Sequence, residues 1–145
     1  MAYPESRFRR LRDNPILREM VAETTLAARQ LVQPLFVKEG LAGRQPIESM
    51  PGQAQLGLEE LAKEAASARK AGVPAVLLFG IPEEKDAVGS SATRADGIIP
   101  QAIRAIKAET TDLAVIIDVC LCEYTDHGHC GVLILSGRYP ADCLW

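Results

Sequence analysis

Asp118, Cys120 and Cys122 are spaced two residues apart, and Cys130 follows the short segment Glu123-Tyr124-Thr125-Asp126-His127-Gly128-His129. Thiolates are soft ligands; three of them converging on one point suit Zn2+ above other ions and leave the fourth tetrahedral position for water or substrate. An ion held in that way is a Lewis acid. If the residues from 118 to 122 lie on a strand, alternation sends Asp118, Cys120 and Cys122 to one face, and Gly128 permits a reversal that returns Cys130 towards the pair. The spacing is not that of an ordinary zinc finger, so convergence is an expectation from geometry. The alternative is that Cys120 and Cys122 are small buried residues of a strand, as cysteine often is. His127 and His129 sit in a polar loop, where an imidazole ligates metal, shuttles protons or bonds to backbone; for either alone the structural role is the default. Asp118 within an apolar run needs a partner or a shifted pKa to offset desolvation, which assigns it to the site.

The elements that must position these residues come from a chain of 145 residues, 48% hydrophobic and 24% charged, enough for one globular domain or part of one. Sixteen Lys and Arg against nineteen Asp and Glu give a net charge of −3, which moves nucleic acid down the list of partners. The first twelve residues hold no apolar run of the secretory kind. The longest apolar segment, Leu113 to Leu121, is broken by Asp118 and is far short of the roughly 20 residues that cross a bilayer. No membrane span and a cytoplasmic location are expected, and in that compartment cysteines stay thiols or ligate metal.

Four arginines between Ser6 and Arg12 read as an extended arm, either a solvated terminus or a segment wrapping a neighbouring subunit, with a phosphate patch a distant third. Asn14-Pro15 starts a helix expected to reach about Arg29. Leu31 to Val37 is a strand of the type covered on both faces, weakened at Pro34, and Leu41 to Gly57 is a polar, turn-rich loop. Leu58, Leu61, Ala62, Ala65 and Ala68 recur at helical spacing, ending at Gly72 and Pro74. Ala75 to Gly80 is a second buried strand, followed by a loop from Pro82 to Asp96. Ile99, Ala102, Ile103 and Ile106 mark a third helix, and Leu113 to Leu121 a third strand. Alternating strands and helices specify parallel βαβ units and an α/β class, with active sites at the C-terminal ends of strands. A (β/α) barrel needs eight strands and about 250 residues, so the chain looks unfinished.

The segment Asp118-Val119-Cys120-Leu121-Cys122-Glu123-Tyr124-Thr125-Asp126-His127-Gly128-His129-Cys130-Gly131 resembles the metal-binding signature of the porphobilinogen synthase, or δ-aminolevulinic acid dehydratase, family. The likeness extends back through Ala105-Ile106-Lys107, Asp96-Gly97, Ser49-Met50-Pro51-Gly52, Pro34-Leu35-Phe36-Val37-Lys38-Glu39-Gly40 and Arg9-Arg10-Leu11-Arg12, from about residue 7 to 133. It implies a (β/α)8 TIM barrel, here truncated after roughly three βα units, behind an arm that embraces a neighbouring subunit, generally in an octamer. It also implies condensation of two 5-aminolevulinate molecules to porphobilinogen with loss of water, an early step of tetrapyrrole synthesis. By the same resemblance Cys120, Cys122 and Cys130 hold Zn2+, and Asp118 is an active-site carboxylate contacting substrate. The implied organisation is an oligomerisation arm (1–13), a partial barrel (14–133) and a divergent tail (134–145).

Such chemistry needs two amines that form Schiff bases. Of the five lysines, Lys63, Lys70 and Lys107 fall on expected helices, Lys85 on a loop, and Lys38 alone ends a strand. The family's catalytic pair lies on later strands, so these 145 residues are expected to be inactive alone. Cys143 in the tail is either a fourth ligand or an incidental thiol. Rival readings are a non-catalytic zinc-binding or subunit-interaction protein, and a fragment whose exposed last strand drives aggregation.

Overall fold

The computed structural model describes residues 9–136 and 139–144, with backbone alone from residue 134 onward. Its helices are α1 (Arg10–Asp13), α2 (Pro15–Met20), α3 (Leu58–Lys70) and α4 (Ile98–Glu109). Its strands are β1 (Val32–Lys38), β2 (Arg44–Pro46), β3 (Ala54–Leu56), β4 (Ala75–Ile81), β5 (Ala114–Ile117), β6 (Val132–Ser136) and β7 (Tyr139–Leu144). Short 3-10 turns span Ala28–Gln30 and Ser90–Thr93. The main sheet has the order β2-β3-β1-β4-β5, with β1, β4 and β5 mutually parallel and joined through α3 and α4. The α/β class is as expected. β6 and β7 form a separate antiparallel pair.

Both long helices pack on one face of the sheet. Leu35 and Val37 of β1 and Val76 and Leu78 of β4 form the core with Leu61 and Ala65 of α3 and Ala102 and Ile106 of α4. On the other face Phe36 and Phe79 stack with ring centres 5.2 Å apart. Helices confined to one side of a parallel sheet are how the wall of a (β/α) barrel is built, whereas a doubly wound sheet carries helices on both sides. The expected two-sided burial of the strands is therefore replaced by alternation: Leu35 and Val37 are buried and Phe36 and Lys38 half-buried.

The N-terminal stretch departs further from expectation. Asn14 caps α2, its side chain accepting from the Ile16 N–H at 2.8 Å, but the helix ends at Met20 rather than near Arg29. No residue of α2 is buried, so no packing offsets the poor helix propensity of the Thr24-Thr25 pair that follows. Within the arm, Arg10–Asp13 form one helical turn rather than an extended run, while Ser6, Arg7 and Phe8 lie outside the described residues. The loop from Leu41 to Gly57 contains β2 and β3; β3 adds in parallel to β1 at Phe36 and Val37 only, leaving Pro34 in the part of β1 that β3 does not reach. Gly57 closes this excursion: a Cβ there would meet the Leu41 carbonyl oxygen at 2.2 Å. Among the described residues no helix is long and apolar enough to cross a membrane.

Candidate metal centre

β5 ends at Ile117, and one further bond, from the Asp118 N–H to the Leu78 carbonyl at 3.2 Å, holds the chain to β4 before it turns. Asp118, Cys120 and Cys122 thus lie beyond the strand, and strand alternation is not what gathers them. The turn does so. The N–H groups of Tyr124 and Thr125 both donate to the Leu121 carbonyl at 2.9 Å, folding the chain so that Cys122 Sγ comes 3.1 Å from Cys120 Sγ. Cys130 joins them, all three sulfurs lying within 4.8 Å of one another.

Zinc–sulfur bonds of about 2.3 Å at tetrahedral angles separate sulfurs by about 3.8 Å. The Cys120–Cys122 separation of 3.1 Å is shorter than that value and no pair exceeds 4.8 Å, so the trio is close enough to share one ion. The closest pair is in hydrogen-bond contact, at a distance well beyond the ~2.05 Å of a disulfide. The backbone N–H of Cys122, then the Cys122 and Cys130 thiols, pull the Cys120 pKa below its usual value. The Cys122 pKa is pushed well up, first by the contact with Cys120 and then by desolvation and the neighbouring Glu123. Glu123 accepts from Cys122 Sγ at 3.2 Å and, with Asp118 and Cys120, forms an overlapping group of ligand atoms within 4.8 Å.

Asp118 is exposed, which removes the desolvation argument for its role: the strand that carries it is the sheet edge among the described residues, with Ile116 and Ile117 also exposed. What recommends it is position. With Cys120, Tyr124, Arg94 and Ile99 it lines a cleft of about 400 Å3 at the C-terminal end of the parallel strands. A polar cleft of about 470 Å3, bordered by Glu39, Asp86 and Arg94, lies at the ends of β1 and β4.

Four residues that build the site were not singled out in the sequence. Gly80 on β4 leaves room for Tyr124, since a Cβ there would lie 2.8 Å from the phenol oxygen and 2.7 Å from Ile99 Cγ1. An isolated glycine in an apolar strand is the signal that could have found it. Burial, then the charges of Glu123 and Asp118, raise the Tyr124 pKa and keep the phenol neutral. Asp86 pairs with Thr125 as a parallel bridge, its carbonyl accepting from the Asp126 N–H at 3.1 Å. Its carboxylate accepts from the N–H groups of Val88 and Ser90 at 3.0 Å and from the Ser90 hydroxyl, and these bonds, the hydroxyl's foremost, lower its pKa. Thr125, 1% exposed, donates its hydroxyl to the His129 carbonyl at 2.9 Å.

The His127 ring makes structural hydrogen bonds. His127 Nδ1 accepts from the His129 N–H at 3.1 Å, which leaves Nε2 to donate to the Ala87 carbonyl at 3.2 Å. Neither ring belongs to the cysteine cluster. Lys38 ends β1 with Nζ 3.4 Å from Gln45 Oε1; Lys63 and Lys70 lie on α3, Lys107 on α4 and Lys85 on the loop after β4. Cys143 is in β7, and its side chain lies outside those described.

Parallel strands walled by helices on one side, with a cluster of three sulfurs and a carboxylate at their C-terminal ends, define a segment of an α/β enzyme fold whose site could hold a metal ion. The profile of the delta-aminolevulinic acid dehydratase family matches residues 5–139, and the chain belongs to that family. The match begins before and ends after the span of about 7 to 133 carried by the motifs. The chain is similar to the delta-aminolevulinic acid dehydratase of Methanothermus sociabilis, 48% identical over 133 residues, covering 92% of this chain and 41% of the relative. That of Halalkalibacterium halodurans is 52% identical over 127 residues, covering 88% and 39%. Among solved structures, the Toxoplasma gondii enzyme in complex with its reaction product porphobilinogen superposes with a TM-score of 0.83 at 35% identity, over 93% of this chain and 39% of that one. The chain thus spans about two fifths of the length of these relatives.

Proposed function

We propose that these residues supply the metal-holding part of a porphobilinogen synthase, which condenses two 5-aminolevulinate molecules to porphobilinogen with loss of water. The observation that carries the reading is the convergence of three cysteine sulfurs at the C-terminal ends of parallel strands, in a chain of this family. Cys120, Cys122 and Cys130 would hold Zn2+, their donor set being the soft one that this ion favours. When bound, the ion supplies Lewis acidity at the open coordination position. Asp118, on the cleft wall, attracts the amino nitrogen of the substrate, and the neutral Tyr124 closes the cleft floor against Gly80.

The proposed organisation is an oligomerisation arm over residues 1–13, a partial barrel over 14–133 and a tail over 134–145, in a cytoplasmic homo-octamer. The exposed apolar residues Ile16, Met20 and Val21 on and after α2 support a subunit contact at this end. The 145 residues alone are inactive in this reading, because the resemblance puts the family's two Schiff-base lysines on later strands of the barrel. Zinc analysis and a porphobilinogen assay on the purified chain test it. Stoichiometric zinc without turnover is expected; turnover refutes the inactivity, and no zinc uptake refutes the metal site. Gel filtration with metal analysis of the same sample tests the rival, a non-catalytic zinc-binding or subunit-interaction protein, which a stable, zinc-loaded, monodisperse oligomer without turnover would favour.

A further inference from the structure

We propose that Thr125 and His127 are positioning residues which hold Cys130 onto the Cys120–Cys122 pair, so that the trio is assembled before any ion arrives. Cys120 and Cys122 sit within one turn, but Cys130 is eight residues further on and needs its own constraint. The hydroxyl of the buried Thr125 closes the segment from 125 to 129 by donating to the His129 carbonyl at 2.9 Å. His127 braces the same segment from outside, bonding to the His129 N–H and to the Ala87 carbonyl of the neighbouring loop at 3.1 and 3.2 Å. The residue before Cys130 is thereby held through both its N–H and its carbonyl. Backbone fixed immediately before a ligand removes conformational freedom that binding would otherwise have to remove, which raises affinity without a new contact to the ion.

This rests on reading the trio as a metal site, and the experiment separates the two. Co2+ affinity is measured on the full 145-residue chain, on Thr125→Val, which keeps the shape and removes the donor, on Thr125→Ser, which restores it, and on His127→Ala. Capture of the metal-free thiols by a trivalent organoarsenical, which bridges neighbouring sulfurs, is timed in parallel. Expected are about tenfold weaker Co2+ binding in Thr125→Val, equivalent to ~1.4 kcal/mol, recovery in Thr125→Ser, and severalfold loss in His127→Ala, with arsenical capture slowed in the same order. His127→Ala carries the test if Thr125→Val does not fold. Parent-like affinity and capture in the folded variants overturn the clasp. A parent chain that takes up no Co2+ overturns the metal reading instead, and the arsenical rates then decide the clasp by themselves.

Discussion

Replacing Gly80 by alanine probes how the sheet and the site loop share space. The added methyl would stand 2.7 and 2.9 Å from Ile99 Cγ1 and Cδ1 on α4, and 2.8 Å from the Tyr124 hydroxyl. One side of the intrusion is a core helix; the other is the ring that floors the cleft. Overpacking of this kind costs about 1–3 kcal/mol, while removing a strand glycine returns about 0.5–1 kcal/mol through the unfolded chain. The net expectation is a loss of about 1–2 kcal/mol, or roughly 3–10 °C in Tm for a chain of this length. Tyr124→Phe removes one of the two collisions, so the double variant should recover about 0.5–1 kcal/mol relative to additivity. Thermal and urea unfolding of the four proteins of the cycle supply the measurement. A Gly80→Ala protein as stable as the parent, or strict additivity with Tyr124→Phe, would refute the claim that this glycine makes room for the tyrosine.

In the metal-free chain, Cys120 should be alkylated by iodoacetamide at a pH below that of an ordinary thiol, because its folded-state pKa is lowered, while Cys122, raised, should react only at higher pH or after unfolding. Peptide mapping against pH reads the order, and equal rates for the two would contradict the opposite shifts of the neighbouring thiols. Leu61→Ala should cost about 2–5 kcal/mol in urea unfolding, since Leu61 is wholly buried between sheet and helices; a loss below 1 kcal/mol would mean that α3 does not carry the core.

The parts legible in the sequence are those set by periodicity. α3 and α4 follow apolar residues at helical spacing, and β1 and β4 follow short apolar runs between turn signals. β2 and β3 were not legible because they are three residues each and take their stability from docking, β3 beside β1 and β2 beside β3, not from their own composition. The overlong α2 shows the reverse: a sound start signal with nothing for the helix to pack on. At the site, the ligand residues were visible as residue types, yet the mechanism of their convergence was misread. An apolar run through Asp118 to Leu121 looks like strand, but pairing with β4 stops at Ile117 and the chain turns. Thr125 and Asp86 left no trace because a hydroxyl or carboxylate in a polar loop acquires meaning only from what stands opposite it.

The bridge between Asp86 and Thr125 makes two consecutive crossover loops a single mechanical part. Anyone transplanting the cysteine turn into another scaffold would have to carry the earlier loop with it, together with the notch that Gly80 leaves on β4, or the graft would arrive with its sulfurs unaligned.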